Sequence, residues 1–356
     1  MIAVDATPDL DDGDGLIVAD RNGLLRAAAM AGAQVRATAA ALDEGLLEPL
    51  RSDQPPRTVI WVAGRGVAES AGAVLAAVLG GSVAVPIVVA AQIPPWIGAL
   101  DVVIVAGDDP GDPALVNAAA TGLRRGARVL AVAPYEGPMR DVAAGRAVVL
   151  APRLWVPDDF GFTRYLTAGL AALHMVDPGM RVDLAALADE LDAEALRNSA
   201  GRELFTNPAK TLAERMSGSD VVLAADTQAT LALARHGSAT MLRLAGEVVA
   251  AAGLVDVLAA LGSRATRSAG DRALFHDEEI DGPLPRRMWT FVLSTHAERS
   301  TVASRVGGFD DIAVIGAEDV PDLAGTGLPA GRPEQQLAIL AVRLEMTAVY
   351  LKLVRG

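Results

Sequence analysis

The segment VIVAGDDPGDPALVNAA, residues 103–119, joins a run of branched apolar residues to a glycine- and aspartate-rich loop and an alanine-rich stretch. Buried parallel strands have continuous Val/Ile runs, and Pro113 with Asp112 before it is typical of the first turn of a helix. The segment therefore predicts a strand, a loop and a helix, the repeating unit of an α/β protein. Its loop carries Asp108 and Asp109 where α/β proteins commonly bind phosphate.

The same alternation continues on both sides of this segment. Val/Ile-rich runs predict five strands in a first set, at 58–64, 82–90, 101–107, 128–134 and 147–152. A second set is expected at 220–226, 288–295 and 311–317, with a long helix from Thr227 to about Ala252 and a last helix at 333–355. This order predicts two tandem doubly wound units, an N-terminal domain over residues 1–176 and a C-terminal domain over 177–356.

Composition narrows the possible partners. The 356 residues are 51% hydrophobic and 21% charged, as in globular proteins, and the formal net charge is -13. A polyanion would be repelled by most of this surface, so neither nucleic acid nor an anionic membrane is an expected partner. The absence of cysteine excludes disulfides, zinc–thiolate sites, iron–sulfur clusters and thiol nucleophiles.

One uncharged stretch, residues 71–91, is long enough to span a bilayer. Gly80, Gly81 and Pro86 interrupt it, so we predict a buried helix, a turn and a buried strand instead. The acidic N-terminal residues lack the basic and then apolar layout of a secretory signal, and a cytoplasmic location is expected.

Several segments, in this order, resemble the bacterial bifunctional phosphoglucose/phosphomannose isomerase family, which is built from two sugar-isomerase (SIS) domains. They are WVAGRGVAESAG at 61–72, VPIVVAAQIPPWIGALDVVIVAG at 85–107, NPAKTLAERMSGSDVVLAAD at 207–226 and QLAILAVRLEMTAVYLKLVRG at 336–356. The resemblance extends over nearly the whole chain. It implies two tandem SIS-type domains with parallel sheets flanked by helices, a homodimer with the ligand site at the shared interface, and a sugar phosphate or sugar nucleotide as ligand, without a cofactor or metal.

The first glycine-rich loop departs from the family pattern. Where the family has Gly-Met-Gly-Gly-Ser, this chain has Gly64, Arg65, Gly66, Val67 and Ala68. The glycines still permit a tight turn close to a ligand, but the hydroxyl is absent. The new arginine is expected either to bind a phosphate or to pair with a loop aspartate.

The second loop departs further. The family cradles phosphate with Ser-Tyr-Ser-Gly-Asn-Thr, whereas this chain has AGDDPG, residues 106–111, at the matching positions and places Gly107, Asp108, Asp109 and Pro110 within it. A phosphate dianion about 4 Å from a carboxylate is repelled by several kcal/mol. The aspartates are expected either to stabilise the helix N-terminus or to hold a magnesium ion that bridges to a phosphate.

The catalytic residues implied by the resemblance are largely missing. An aldose–ketose isomerase needs a carboxylate base and a ring-opening group, commonly histidine. If Arg235 matches the family's arginine, Met241 and Leu242 stand where the family has Asn-Glu. Glu247 and His276 are the weak remaining candidates, and His276 matches only if the chain carries an insertion.

Two further positions complete the comparison. Arg164 matches a family arginine that faces the sugar phosphate. Alternatively, Arg164 only places a charge at the start of a helix. Lys352 does not match the active-site lysine that follows the family's last helix. We expect a divergent SIS-domain protein that binds a sugar phosphate or sugar nucleotide, the alternatives being an active isomerase of glucose, mannose and fructose 6-phosphates with relocated groups, and a structural or regulatory dimeric subunit.

Overall fold

The computed structural model describes residues 7–177, 179–268, 288–320 and 331–355. The first sheet consists of β1 Thr58–Val62, β2 Ile87–Ala90, β3 Asp101–Ala106, β4 Arg128–Val132 and β5 Val148–Val149. All neighbouring strands are parallel, and their order is β2-β1-β3-β4-β5. The five predicted strands of the first set are thus confirmed.

The second sheet has four strands, β6 Asp220–Ala225, β7 Val249–Gly253, β8 Met288–Leu293 and β9 Ile312–Ile315. They are also parallel, in the order β7-β6-β8-β9. The predicted long helix to Ala252 is wrong, because its last residues form β7. Three alanines at 250–252 favour helix, but pairing with β6 places them in the sheet, so tertiary context overrides local propensity.

Thirteen helices surround the sheets among the described residues. They are α1 Gly13–Ala19, α2 Leu24–Ala28, α3 Ala31–Asp43, α4 Gly66–Leu79, α5 Pro113–Arg124, α6 Gly137–Ala143, α7 Phe162–Val176, α8 Leu184–Arg197, α9 Pro208–Met216, α10 Gln228–Thr240, α11 Leu254–Ser268, α12 His296–Val306 and α13 Pro333–Leu353. A π-helical turn, Met241–Ala245, continues α10. The predicted fold class is confirmed: two doubly wound parallel sheets flanked by helices.

The largest apolar cluster joins the two sheets. Trp61 of β1 and Leu223 of β6 belong to this one cluster, together with buried residues of α4, α7, α10 and α13. Smaller clusters cover the opposite face of each sheet. The uncharged stretch 71–91 lies in α4, a turn and β2, and no described helix is long and apolar enough to cross a membrane.

Candidate functional site

The strand order places a crevice at the carboxyl ends of β1 and β3, two interior strands of the first sheet. The chain passes from β1 to β2 on one side and then to β3 on the other side of β1. In open α/β sheets, ligands bind outside the carboxyl ends of the strands where the order reverses in this way. The two loops singled out in the sequence follow β1 and β3, so the fold brings them to this crevice together.

The loop after β1 leads into a helix whose N-terminus lacks a side-chain cap. Arg65 is the N-cap residue of α4 in extended conformation, and its side chain accepts no hydrogen bond from the first turn. Gly66 has φ 71°, in the left-handed region that favours glycine, and no atom lies within 4 Å of where a Cβ would stand. The first-turn amides of α4 therefore face the crevice without a competing side-chain acceptor at the cap.

Arg65 pairs across the crevice with the loop after β3. Its Nη2 lies 3.5 Å from an Asp109 carboxylate oxygen and 3.2 Å from one of Asp112. The Arg65 side chain is 72% exposed, so these ion pairs are weak and exchangeable. The sequence allowed two roles for Arg65, phosphate binding or pairing with a loop aspartate. The structure shows the aspartate pairing.

The three aspartates of the second loop have three different partners. Asp112 accepts a hydrogen bond from Ala114 N at 2.8 Å and caps α5. Asp109 accepts one from Gly111 N at 2.8 Å within the loop. Asp108 is bound by the side chains of α7 instead. Only Asp112 therefore acts as the helix cap that the sequence led us to expect of the loop carboxylates.

Asp108 is held by two neighbouring residues of α7. Its Oδ1 accepts hydrogen bonds from an Arg164 guanidinium nitrogen and, at 2.5 Å, from the Tyr165 hydroxyl. The Arg164 guanidinium lies over the Tyr165 ring, 4.4 Å from its centroid. Burial raises the pKa of Tyr165 far above its ordinary value, and the Asp108 charge adds to this effect. The tyrosine thus remains a proton donor to Asp108 at all physiological pH values.

Further acidic and basic residues continue from Asp108 and Arg164 toward the second sheet. Burial, followed by the proximity of Asp108, raises the pKa of Asp158. The next residue, Asp159, accepts a hydrogen bond from Arg243 Nε at 2.7 Å. Arg243 belongs to the π-helical turn, so this ion pair connects the neighbourhood of the crevice to the second half of the chain.

The positions expected for a catalytic base are occupied by apolar side chains. Met241 is fully buried and Leu242 is 56% exposed, both in the π-helical turn. Glu247 follows this turn and forms an ion pair with Arg355. His276 lies outside the described residues. Neither weak catalytic candidate is therefore placed in the crevice by the described contacts.

A buried pair of titratable residues lies behind the Arg243–Asp159 ion pair. His236 Nε2 of α10 is 3.6 Å from Glu345 Oε1 of α13, and both side chains are almost completely inaccessible. Neither ring nitrogen of His236 nor Oε1 of Glu345 has a hydrogen-bond partner among the described residues. The ring of Phe162 lies 4.5 Å from the imidazole centroid.

His236 is uncharged at neutral pH, and burial favours the uncharged form of Glu345. Burial, with a smaller contribution from Arg243, lowers the pKa of His236 to about 3. Burial also raises the pKa of Glu345 well above its ordinary value. An ion pair would shift both values the other way, but the absence of hydrogen bonds within the described part of the chain and the complete burial favour the neutral forms.

The described residues contain no group of three or more His, Asp or Glu side chains that could hold a metal ion. The carboxylates of the second loop are each engaged by protein donors, as described above.

Similarity to known proteins is structural only. No protein-family model and no curated protein sequence matches the chain. The tagatose-6-phosphate ketose/aldose isomerase of Escherichia coli superposes with a TM-score of 0.61 at 14% identity, covering 94% of this chain and 91% of that one. The C-terminal domain of the glucosamine-fructose-6-phosphate aminotransferase of Francisella tularensis gives 0.58 at 12% identity, with 94% and 96% covered.

A glucose-6-phosphate isomerase-like protein of Thermus thermophilus gives a TM-score of 0.53 at 19% identity over 98% of this chain and 94% of its own. These proteins share the SIS-type architecture that the sequence predicts. At such identities the likeness concerns the fold, and function has to be argued from the site.

Proposed function

We propose that this protein is a divergent SIS-domain protein of the phosphoglucose/phosphomannose isomerase type that binds a sugar phosphate or sugar nucleotide without isomerising it. The observation that carries the proposal is that the crevice has two arginines but lacks the expected catalytic base. Arg65 and Arg164 lie at the two loops, whereas Met241 and Leu242 occupy the expected base position. Enediol chemistry needs a carboxylate over both reacting carbons, and binding does not.

The likeness to structures of sugar-phosphate enzymes supports the substrate class. An uncapped helix N-terminus beside Arg65 is an arrangement that favours anions. We further propose that the chain is divided into an N-terminal domain, residues 1–176, and a C-terminal domain, residues 177–356, and that it forms a homodimer, which sedimentation equilibrium would test. Gly64, Arg65, Gly66, Gly107, Asp108, Asp109 and Arg164 are the proposed ligand-binding residues.

A second candidate function is an active sugar-phosphate isomerase with relocated groups. The His236–Glu345 pair favours it, since a histidine and a glutamate are the residue types required and they are adjacent behind the crevice wall. Their complete burial argues against direct contact with a sugar. A structural or regulatory dimeric subunit is the third candidate and predicts no small-molecule ligand.

Two measurements separate these functions. A coupled isomerase assay on glucose, mannose and fructose 6-phosphates should give no rate above that without protein. A thermal-shift screen of the same compounds and of sugar nucleotides should detect a ligand, because one present at 100 times its Kd stabilises by about 2.7 kcal/mol. Arg65→Gln should reduce that shift, and Arg124→Gln at the far end of α5 is the control. A clear isomerase rate, or no shift with any compound, would refute the proposal.

A further inference from the structure

The end of the first sheet opposite the crevice carries exposed arginines and apolar side chains. Arg57 precedes β1, Asp101 begins β3 and Arg128 begins β4. Because these strands are parallel, the three residues lie together at the amino ends of the strands. The two loops of the candidate site follow the carboxyl ends. A group bound at the amino ends is therefore separate from a ligand in the crevice.

The loop before β3 is fixed by arginines from two neighbouring elements. Arg57 donates a hydrogen bond to Trp96 O at 3.0 Å, and its guanidinium lies over the Trp96 ring, 5.6 Å from the centroid. Arg125, directly after α5, donates to the carbonyl oxygens of Pro95 and Ile97. A surface held in place in this way loses little conformational entropy when a partner binds.

The same loop presents apolar side chains next to these arginines. Trp96 is 46% exposed and Leu100 is 54% exposed, and Arg57 N donates to Leu100 O at 2.8 Å. Ala99 lies beside Gly126, since a Cβ on Gly126 would stand 3.5 Å from the Ala99 Cβ. Tryptophan and arginine are the residue types enriched among the side chains that contribute most to binding at protein interfaces.

Three segments meet at this end of the sheet, at 48–57, 94–101 and 121–130. Together they contain five arginines and three acidic residues. One of the three, Asp101, is completely buried and forms an ion pair with Arg57. The exposed charge here is therefore mainly positive, although the chain as a whole carries a formal net charge of -13.

We propose that this amino-end patch, formed by Arg57, Trp96, Leu100, Arg124 and Arg125, binds an acidic segment of another protein. Guanidinium groups bind carboxylates with parallel hydrogen bonds, and Trp96 and Leu100 offer apolar contact to the rest of such a segment. The inference goes beyond the proposed function and does not depend on sugar-phosphate binding.

The charge of the patch favours this occupant over two others. A second copy docked on the same patch about a two-fold axis would place arginines against arginines. A nucleic acid is charged along its whole length, so it would continue from the patch over the acidic remainder of the surface. Neither difficulty applies to an acidic segment of limited length.

The test starts from a phage-displayed library of random peptides selected on the unmodified protein. The selected peptides should contain several Asp or Glu residues beside an apolar one. The peptide recovered most often is then synthesised with a fluorescent label, and its affinity is measured by fluorescence anisotropy. Its binding should weaken as the salt concentration rises, because exposed charges are screened.

Two substitutions and a control locate the contact. Trp96→Ala should weaken binding of this peptide about tenfold or more, as for a central aromatic residue of an interface. Arg124→Glu should weaken it about fivefold or more at low salt and less at high salt. It leaves the loop contacts intact, since the Arg124 side chain hydrogen-bonds to Thr121 of its own helix. Arg215→Glu, at an exposed arginine of α9, should bind as the unmodified protein does. Melting curves show that each variant is folded.

Several results would overturn the proposal. One is a set of selected peptides without acidic residues, and another is a peptide that binds Trp96→Ala and Arg124→Glu as tightly as the unmodified protein. A single-stranded oligonucleotide whose binding depends on Arg124 would assign the patch to nucleic acid instead. A dimer that dissociates in Trp96→Ala would assign it to a second copy. If any of these results is found while a sugar phosphate still stabilises the protein, only this inference fails and the proposed function stands.

Discussion

The buried His236–Glu345 pair makes a quantitative prediction about stability and pH. The unfolded histidine has a pKa of 6.5, and burial lowers the folded value to about 3. Between these values the unfolded chain binds a proton that the folded protein does not, so the stability contributed by neutral His236 is complete above pH 6.5 and is lost as the pH falls toward 3. From pH 6.5 to 4.5 this loss amounts to about 2.3 kcal/mol.

Urea unfolding of the unmodified protein and of His236→Leu at pH 6.5, 5.5 and 4.5 isolates this effect. Every other titrating group is common to both proteins, so their difference in unfolding free energy should move by about 2.3 kcal/mol in favour of the leucine variant over this interval. His236→Gln provides the same comparison with a polar side chain if leucine disturbs the packing. A difference that stays constant with pH would mean that the folded histidine is protonated and paired with Glu345, which would refute the neutral pair.

The remaining predictions concern the same pair, the buried ion pair and the α5 cap. Because the pKa of Glu345 is raised in the folded protein, stability is lost as pH rises above about 4.5. The unfolding free energy of Glu345→Gln, measured with urea, should therefore increase relative to that of the unmodified protein as the pH rises. A difference in unfolding free energy that is the same at all pH values would contradict this. Glu194→Gln leaves Arg343 buried without its carboxylate and should lower the free energy of unfolding by about 3–5 kcal/mol. Most of this loss should be recovered when Arg343→Met is combined with Glu194→Leu. A double variant as unstable as the single one would contradict the ion-pair account. Asp112→Ala should cost about 1 kcal/mol by thermal unfolding and Asp112→Asn much less, since asparagine also caps helices; equal losses would assign the effect to the Arg65 pair instead.

Local sequence patterns were sufficient for most of the fold. Strand β3 has six consecutive buried residues, and such runs have few alternatives to a central parallel strand. The cap at Asp112 and Pro113 was likewise predictable because a helix start depends on adjacent residues. Strand β7 was missed for the opposite reason: its alanine-rich sequence favours helix, and only pairing with β6 makes it a strand.

The two loops of the candidate site could be predicted from the sequence, but their side-chain contacts could not. Glycines and aspartates after β1 and β3 marked the crevice, but nothing near Asp108 indicates that Arg164 and Tyr165 bind it from 56 and 57 residues away. The His236–Glu345 pair had one signal: Glu345 is the one glutamate in the largely apolar stretch 337–351 of α13. Its partner could not be inferred, because the approach of α10 to α13 depends on packing between distant parts of the chain.

Helix α13 has a consequence for how the protein is made. Almost every residue of Pro333–Leu353 is buried, and the helix contacts α1, α2, α4 and α7 as well as α8, α9 and α10. A nascent chain still on the ribosome can form both sheets, but it has no cover for the apolar groove between them until this helix is released. The apolar surface that α13 buries therefore stays exposed until α13 has been synthesised, and a fragment ending before Pro333 should depend on chaperones or aggregate.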